Sequence, residues 1–271
     1  MVDFNVNGKS AVITGGTRGL GLYCAEALVV NGASIVIITS RKAKAGEEAR
    51  QYLLKKAEEA NNSKCQVISI PADLSNDQDC LRFFEDSNKF LKGKLDILIA
   101  NAGATWGAPL EQHQPEHLRK VLNLNVVALY HTIKLFVPLL EKATNLQDPS
   151  RILLMSSIIS VTTSDHVGVY GYLASKAAVT HLGRNLAVQF GSRNINVNSI
   201  APGFFPSKMA NGLIEAAGSL MTDTNPRHRL GEKEDLQNLV LFLCSKQSNY
   251  LNGVFIPIDG GAHLNQPAAH F

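Results

Sequence analysis

Three side chains between residues 151 and 190 carry groups that could pass a proton among themselves. The segment reads RILLMSSIISVTTSDHVGVYGYLASKAAVTHLGRNLAVQF. Tyr172 and Lys176 stand four residues apart where a helical pattern opens, so phenol and ammonium share one helix face. Ser157 follows the short apolar run 152–155, which reads as a buried strand, and its hydroxyl could reach the same point. A free phenol has a pKa of about 10, and a neighbouring cation lowers it by favouring the phenolate. The bare spacing is a weak signal, because it also joins Tyr52 to Lys56 and Tyr130 to Lys134; at least two of the three pairs are therefore structural. The pair at 172–176 is set apart by following a strand that ends in serine and by beginning its helix.

The elements that must position these groups alternate along the chain. Short apolar, β-branched runs at 10–14, 34–39, 66–71, 95–100, 151–155, 195–200 and 254–258 read as strands. Helical patterns lie between them, ending near 31 and then spanning 42–60, 76–92, 114–142, 172–190 and 232–244. Strict alternation of buried strands with helices predicts an α/β chain with a parallel sheet covered on both faces. In doubly wound sheets ligands collect at the carboxyl ends of the strands. The chemically informative residues fall there: Gly15 to Gly21, Ser40 and Arg41, Asp73, Asn101 to Gly103, Ser157, then Pro202 and Gly203.

Bulk properties exclude several classes. A net charge of +3, without a basic cluster interleaved with aromatics, argues against nucleic acid. Cys24, Cys65, Cys80 and Cys244 form no C-x-x-C pair, so they read as small core residues instead of zinc ligands or disulfides. The start, MVDFNVNGKS, has no apolar run of the signal-peptide kind, and no uninterrupted apolar stretch approaches membrane-spanning length. A soluble, cytoplasmic protein is expected. The terminal Ala269-His270-Phe271 loosely resembles a peroxisomal address, although an ordinary tail is the plainer reading.

The turn containing Gly15, Thr17, Arg18, Gly19, Leu20 and Gly21 joins a strand to a helix N-terminus, where exposed N–H groups and the helix dipole favour an anion. Its spacing, G-x-x-x-G-x-G, departs from the G-x-G-x-x-G fingerprint. The strand-turn-helix setting favours dinucleotide binding. The second strand ends Thr39-Ser40-Arg41 and carries no acid. A carboxylate there would select the ribose hydroxyl of NAD; Ser40 and Arg41 suit a 2′-phosphate instead, with Arg18 as a second cation. The expected cofactor is NADP(H), against the plainer reading of both arginines as solvated surface.

Taken in order, Thr14-Gly15-x-x-x-Gly19-x-Gly21, Asp73-Leu74, Asn101-Ala102-Gly103, Ser157, Tyr172-x-x-x-Lys176 and Pro202-Gly203 resemble the classical short-chain dehydrogenase/reductase family. The stretch 200–207 and the paired tyrosines before Lys176 look most like 3-oxoacyl-carrier-protein reductases of the rhamnolipid type. The resemblance spans the chain and implies a single-domain doubly wound Rossmann fold, with seven strands in the order 3-2-1-4-5-6-7, in a homotetramer or dimer. It implies Ser157, Tyr172, Lys176 and Asn125 as catalytic residues, with Asn123 the rival of Asn125. It further implies that Asp73, Leu74, Asn101, Ala102, Gly103, Pro202, Gly203, Phe205 and Ser207 join the glycine turn, Ser40, Arg41, Tyr172 and Lys176 around the cofactor. Ser157 lies fifteen residues before Tyr172, farther than in most members. A loop insertion would explain this, with Ser160 the alternative serine and Ser156 a weaker one.

The chemistry that follows is ketone reduction without a metal. The cofactor brings hydride, Tyr172 the proton, Ser157 a hydrogen bond to the substrate oxygen, and Lys176 a cation beside the phenol; Asn125 would hold a water that links Lys176 to solvent. Tyr170 competes for the phenol role, but its fourth neighbour is Ala174. Trp106 is expected at the pocket wall, His166 in the loop before the site, and a small substrate lid over about 204–229, although its apolar residues could equally be core or subunit interface. The leading expectation is an NADPH-dependent reductase of hydrophobic ketones or 3-oxoacyl groups. A sugar or polyol dehydrogenase remains open. So does a non-catalytic NADP(H)-sensing regulator, which the retained tyrosine and lysine disfavour. A nucleotide-sugar epimerase would need a longer chain.

Overall fold

The structure, a computed structural model, describes residues 4–163, 168–206, 218–219 and 221–265. Seven strands form one sheet: β1 (Ser10–Thr14), β2 (Ile35–Ser40), β3 (Gln66–Pro71), β4 (Ile97–Ala100), β5 (Ser150–Met155), β6 (Ile195–Pro202) and β7 (Phe255–Ile258). Their spatial order is β3-β2-β1-β4-β5-β6-β7, and every neighbouring pair is parallel. The order predicted from the resemblance holds. It reverses direction between β1 and β4, the position at which such sheets open a crevice.

Residue alternation along the strands sorts the core into two layers. Val12, Ile37, Leu98, Ile152, Leu154 and Val197 point to one face. There they meet α3 (Asp77–Leu91), α5 (Leu129–Ala143) and α6 (Tyr170–Gly191), through Phe83, Phe136, Val179 and Leu186. Ala11, Ile13, Val36, Ile38, Ile99 and Leu153 point to the other. That face is covered by α1 (Gly19–Val30), α2 (Ala43–Glu59) and α7 (Lys233–Cys244), through Leu28, Leu53, Val240 and Leu243. Burying a side chain of this size is worth about 1.5–3 kcal/mol, so both layers contribute heavily. The four cysteines are buried and free, as expected, and burial pushes the Cys24 thiol up.

Helix ends follow local chemistry. Asn76 caps α3 by accepting from the N–H groups of Gln78 and Asp79. Glu232 and Asp235 form a reciprocal capping box on α7. The expected long helix at 114–142 is three pieces in one rod: α4 (Pro115–Leu122), a π-turn over Asn123–Ala128, and α5. By length and composition alone the stretch Pro115–Ala143 could cross a membrane, although Glu116, Arg119, Lys120 and Lys134 interrupt it, so it is not an uninterrupted apolar run. Its Leu129, Ile133, Phe136 and Leu140 are nevertheless core residues. The membrane-like composition is that of a buried helix.

The opposite edge of the sheet is fastened by a charge cluster. Arg151 is wholly buried in β5, donates to Asp148 Oδ1 at 2.7 Å and to the Ser245 carbonyl at 2.7 Å, and shares Asp148 with Lys9 at 2.6 Å. Burial alone would raise the Asp148 carboxyl, but the hydrogen bonds from Lys9 and Arg151 outweigh it and hold the carboxyl below its ordinary value.

Candidate active site

The turn after β1 is built by close approach. Gly15 and Gly19 take left-handed backbone conformations, with φ of +66° and +51°. A Cβ on Gly21 would lie 2.3 Å from the Gly15 carbonyl oxygen, so only glycine lets α1 start this near the turn. Asn101, just past β4, fixes the turn from below: its Nδ2 donates to the carbonyls of Thr14 at 2.9 Å and Gly15 at 3.2 Å. Thr14 Oγ1 accepts in return from the N–H groups of Asn101 and Ala102, each at 2.9 Å. Leu20 packs against the core, which leaves its main chain, with Thr17 and the exposed Arg18, around the start of α1. Arg18 occupies the N-cap without capping the helix through its side chain.

This region fits an anionic dinucleotide on three counts. The first turn of α1 contains no acid. The Ser40 hydroxyl, at the end of β2, is enclosed without a hydrogen-bond partner. Arg41 beside it is exposed, and among the described residues neither Arg18 nor Arg41 is held in an ion pair. At the end of β3, Asp73 Oδ1 accepts from the Ser75 hydroxyl at 2.6 Å and its N–H donates to Asp79 at 2.7 Å. The Leu74 side chain lies in the core, so only its backbone faces the crevice edge. Phe205 is likewise 3% exposed, packed so closely that a Cβ on Gly231 would sit 2.4 Å from its ring. Its side chain therefore packs in the core. Pro202 is buried at the end of β6 and Gly203 lies against Asp259, where a Cβ would meet its side chain at 2.7 Å. Ser207, His166, the terminal tripeptide and much of the stretch expected to form a lid lie outside the described residues.

The three serines separate cleanly. The Ser157 hydroxyl donates to the Pro202 carbonyl at 3.4 Å and lies close enough to the Tyr172 phenol to oppose the rise in its pKa. Ser160 Oγ donates to the Ser157 carbonyl at 2.7 Å, and Ser156 Oγ is engaged with Thr180 Oγ1 at 2.6 Å. Those two hydroxyls brace the turn, and of the three serines Ser157 is the one whose hydroxyl bears on the Tyr172 phenol. Tyr172 is the third residue of α6. Burial pushes its phenol above the ordinary value, and the neighbouring Ser157 hydroxyl opposes that. Lys176, 5% exposed, lies 5.4 Å from the centre of the Tyr172 ring and donates to the Met155 carbonyl at 2.6 Å. Burial lowers its pKa to about 8. The expected depression of the phenol by the ammonium is thus not present in this state: the lysine head is engaged with backbone, and the phenol's pKa moves the other way.

Asn125 and its rival part company at the π-turn, a feature that often marks functional positions. Asn125 is 1% exposed. Its Oδ1 accepts from the Ala104 N–H at 2.8 Å, and its Nδ2 donates to the Ala104 carbonyl and to Ser175 Oγ, both at 2.9 Å. Asn123 donates to the Ser75 carbonyl at 3.0 Å on the outside. Ser175, which the sequence reading passed over, donates onward to the Tyr172 carbonyl at 2.8 Å. Its only sequence signal was a small polar residue beside Lys176. The other Tyr–Lys pairs are structural: Tyr52 donates to Glu26 at 2.9 Å, and Tyr130 is half exposed on α5. Tyr170 turns away to meet the His113 ring edge-on at 5.3 Å.

The carboxyl edge of the sheet therefore brings together a hydroxyl–phenol pair, a buried ammonium and an anion-ready glycine turn. A family profile described as Enoyl-(Acyl carrier protein) reductase matches residues 15–263. The rhamnolipids biosynthesis 3-oxoacyl-[acyl-carrier-protein] reductase of Pseudomonas aeruginosa is 35% identical over 263 residues, 96% of this chain and 98% of that protein. The 3alpha-hydroxysteroid dehydrogenase of Mediterraneibacter gnavus is 32% identical over 254 residues, covering 94% and 96%. Among solved structures, the RhlG/NADP active-site complex of Pseudomonas aeruginosa superposes with a TM-score of 0.89 at 34% identity, over 96% of this chain and 98% of the other.

Proposed function

Because the chain belongs to the short-chain dehydrogenase/reductase family, oxidoreductases of CH–OH and C=O groups, we propose that it is an NADPH-dependent reductase of hydrophobic ketones or 3-oxoacyl groups. The observation that carries this reading is the convergence of the Ser157 hydroxyl and the Tyr172 phenol at the carboxyl edge of the sheet, with the Lys176 ammonium 5.4 Å from the centre of the same ring.

The nicotinamide cofactor supplies hydride when bound. The glycine turn and the start of α1 would hold its phosphates, Asn101 would keep that turn in shape, and Ser40 with Arg41 and Arg18 would hold a 2′-phosphate. A structure of the related RhlG protein is an NADP complex, which supports the same choice here. Tyr172 gives its proton to the carbonyl oxygen as the general acid. Ser157 donates to that oxygen and fixes it beside the phenol. Lys176, lowered to about 8, can gain and lose a proton near neutrality and so restore Tyr172 after turnover. Asn125 and Ser175 hold the main chain of Tyr172 in place.

The substrate class rests on lining and on kinship. Trp106 and Phe204 are partly exposed aromatics, and the Pseudomonas relative is named for a 3-oxoacyl substrate. Homo-oligomerisation is part of the proposal, supported by the half-buried outer strand β7.

The test is a carbonyl panel assayed with NADPH and with NADH. Reduction of apolar ketones or 3-oxoacyl thioesters is expected, with NADPH the better donor. Tyr172→Phe should lower turnover about 10²- to 10⁴-fold while leaving nucleotide binding intact. Turnover that survives this substitution nearly undiminished would remove the basis of the proposal.

A further inference from the structure

Tyr172, Lys176 and Thr180 follow one another at intervals of four along α6, so all three share one helix face. The first two carry the chemistry proposed above. Thr180 is buried, and its hydroxyl is committed outward from the helix. A threonine inside a helix can turn its hydroxyl back on the carbonyl four residues earlier, as Thr132 does to Ala128 at 2.8 Å in α5. Thr180 instead engages Ser156 Oγ at 2.6 Å and donates to Ser160 Oγ at 3.2 Å. The buried Ser156 hydroxyl is the group that meets the Lys176 carbonyl, at 3.3 Å.

Each hydroxyl has one proton to give. Ser160 gives its own to the Ser157 carbonyl at 2.7 Å, and Thr180 gives its own to Ser160. The proton in the bond between Ser156 and Thr180 is therefore that of Ser156. The three hydroxyls run head to tail, from the end of β5 through α6 to the main chain of Ser157, and bonds so arranged polarise one another. The Ser157 carbonyl also accepts the Ser160 N–H at 3.0 Å. Thr180 thus closes the turn that carries Ser157 against the helix that carries Tyr172. Along the chain these two residues lie fifteen apart, too far for local sequence to set the gap between their side chains. A second tie between β5 and α6, Lys176 to the Met155 carbonyl at 2.6 Å, uses a group that the reaction needs; Thr180 uses none.

We propose that Thr180 is a positioning residue for carbonyl reduction, holding Ser157 through Ser160 so that its hydroxyl meets the substrate oxygen beside the Tyr172 phenol. The inference rests on the reductase reading above and adds to it a residue that acts through another. Misplacing a reacting group by about 1 Å can cost about 10²-fold in rate, and freeing one end of the serine turn is a partial loss of that kind. The glycine turn follows β1, two strands away from β5 in the sheet, so nucleotide binding should not respond.

The test measures kcat and KM with NADPH and a carbonyl substrate, NADPH binding by fluorescence titration, and Tm. Thr180→Val, close in shape but without the hydroxyl, should lower kcat about tenfold and leave NADPH binding unchanged within about twofold. Thr180→Ser, which keeps the hydroxyl, should stay within about threefold of native kcat. In a Ser157→Ala background, Thr180→Val should change the residual kcat by less than about twofold, because the residue it acts through is already gone. A hydroxyl that only stabilised the fold would shift Tm without separating valine from serine in kcat. Native-like kcat in folded Thr180→Val, equal losses for both substitutions, or a tenfold loss that persists beside Ser157→Ala overturns the proposal. Where Ser157→Ala has no measurable turnover, the contrast between valine and serine decides. If Thr180→Val does not fold, Ser160→Ala breaks the same chain at its half-buried end. Its kcat should then fall about tenfold, and a native-like value overturns the proposal. A native protein that reduces no carbonyl substrate removes the reductase reading and this assignment with it; native turnover that Thr180→Val leaves unchanged removes the assignment alone.

Discussion

Lys176 donates its hydrogen bond to the Met155 carbonyl at 2.6 Å, not to the phenol beside it. An ammonium in a buried position is expensive, and its lowered pKa, about 8, records that cost. Below pH 8 the group is charged in both the folded and unfolded chain, so the whole cost is present. Between pH 8 and the ordinary value of 10.5 the unfolded chain keeps a proton that the native state has shed, so stability rises with pH in that window.

Lys176→Met removes this dependence. Relative to the variant, the native sequence should gain roughly 2–3 kcal/mol between pH 8 and 10.5, measured by denaturant melts at each pH. A constant difference across the window would show that the ammonium is not desolvated. Turnover of the variant should be lost at every pH.

Arg41 is exposed and without an ion-pair partner among the described residues, next to the unpartnered Ser40 hydroxyl. Arg41→Asp should weaken NADPH binding about 10- to 100-fold, the value of one charge-assisted contact, and leave NADH little changed. Equal effects on both nucleotides, measured by fluorescence titration, would place the 2′-phosphate elsewhere.

Ser175 joins Asn125 to the Tyr172 main chain through bonds of 2.9 and 2.8 Å. Ser175→Ala leaves one Asn125 N–H without its partner, a cost of about 1–2 kcal/mol. The expected result is a fall in Tm of about 2–8 °C and a kcat lower by about tenfold, with KM for nucleotide retained. An unchanged kcat in a folded variant would make the bridge purely structural.

Asp148 holds the buried Arg151 and Lys9 on the edge of the sheet away from the site. Its folded pKa is depressed, so its contribution is complete above the ordinary carboxylate pKa and is lost as pH falls through the lower folded value. Asp148→Asn should cost about 3 kcal/mol at neutral pH and flatten the acid limb of the stability profile. Substrate KM should not move. A native-like melt would mean that Arg151 is satisfied by Ser245 alone.

Much of this was legible in the sequence because it is periodic or local. Alternating apolar strands and helices predict the sheet, and strand ends predict where Gly15, Asn101, Ser157 and Pro202 gather. What was hidden depends on packing. Nothing in Asn123-Leu124-Asn125 says which amide faces inward, because the π-turn that decides it has no residue signature. Ser157 and Ser160 look alike until Thr180 and the backbone claim the hydroxyls of Ser156 and Ser160. Phe205 and Leu74 sit in motifs that suggest ligand contact, yet their side chains complete the core. The direction of the Tyr172 pKa could not be read from spacing, since it depends on where the Lys176 head rests.

The turn at Asn123–Ala128 holds one residue more than the α-helical turn it replaces. Each residue advances a helix by about 100°, so this surplus offsets the angular phase of α5 from that of α4. Before it, Leu118 and Val121 face α6 at Gly171; after it, Ile133, Phe136 and Leu140 face the sheet. Deleting a single residue here would yield a more regular rod whose two halves could no longer both meet their partners. Chain length across these six positions is therefore constrained together with the identity of Asn125.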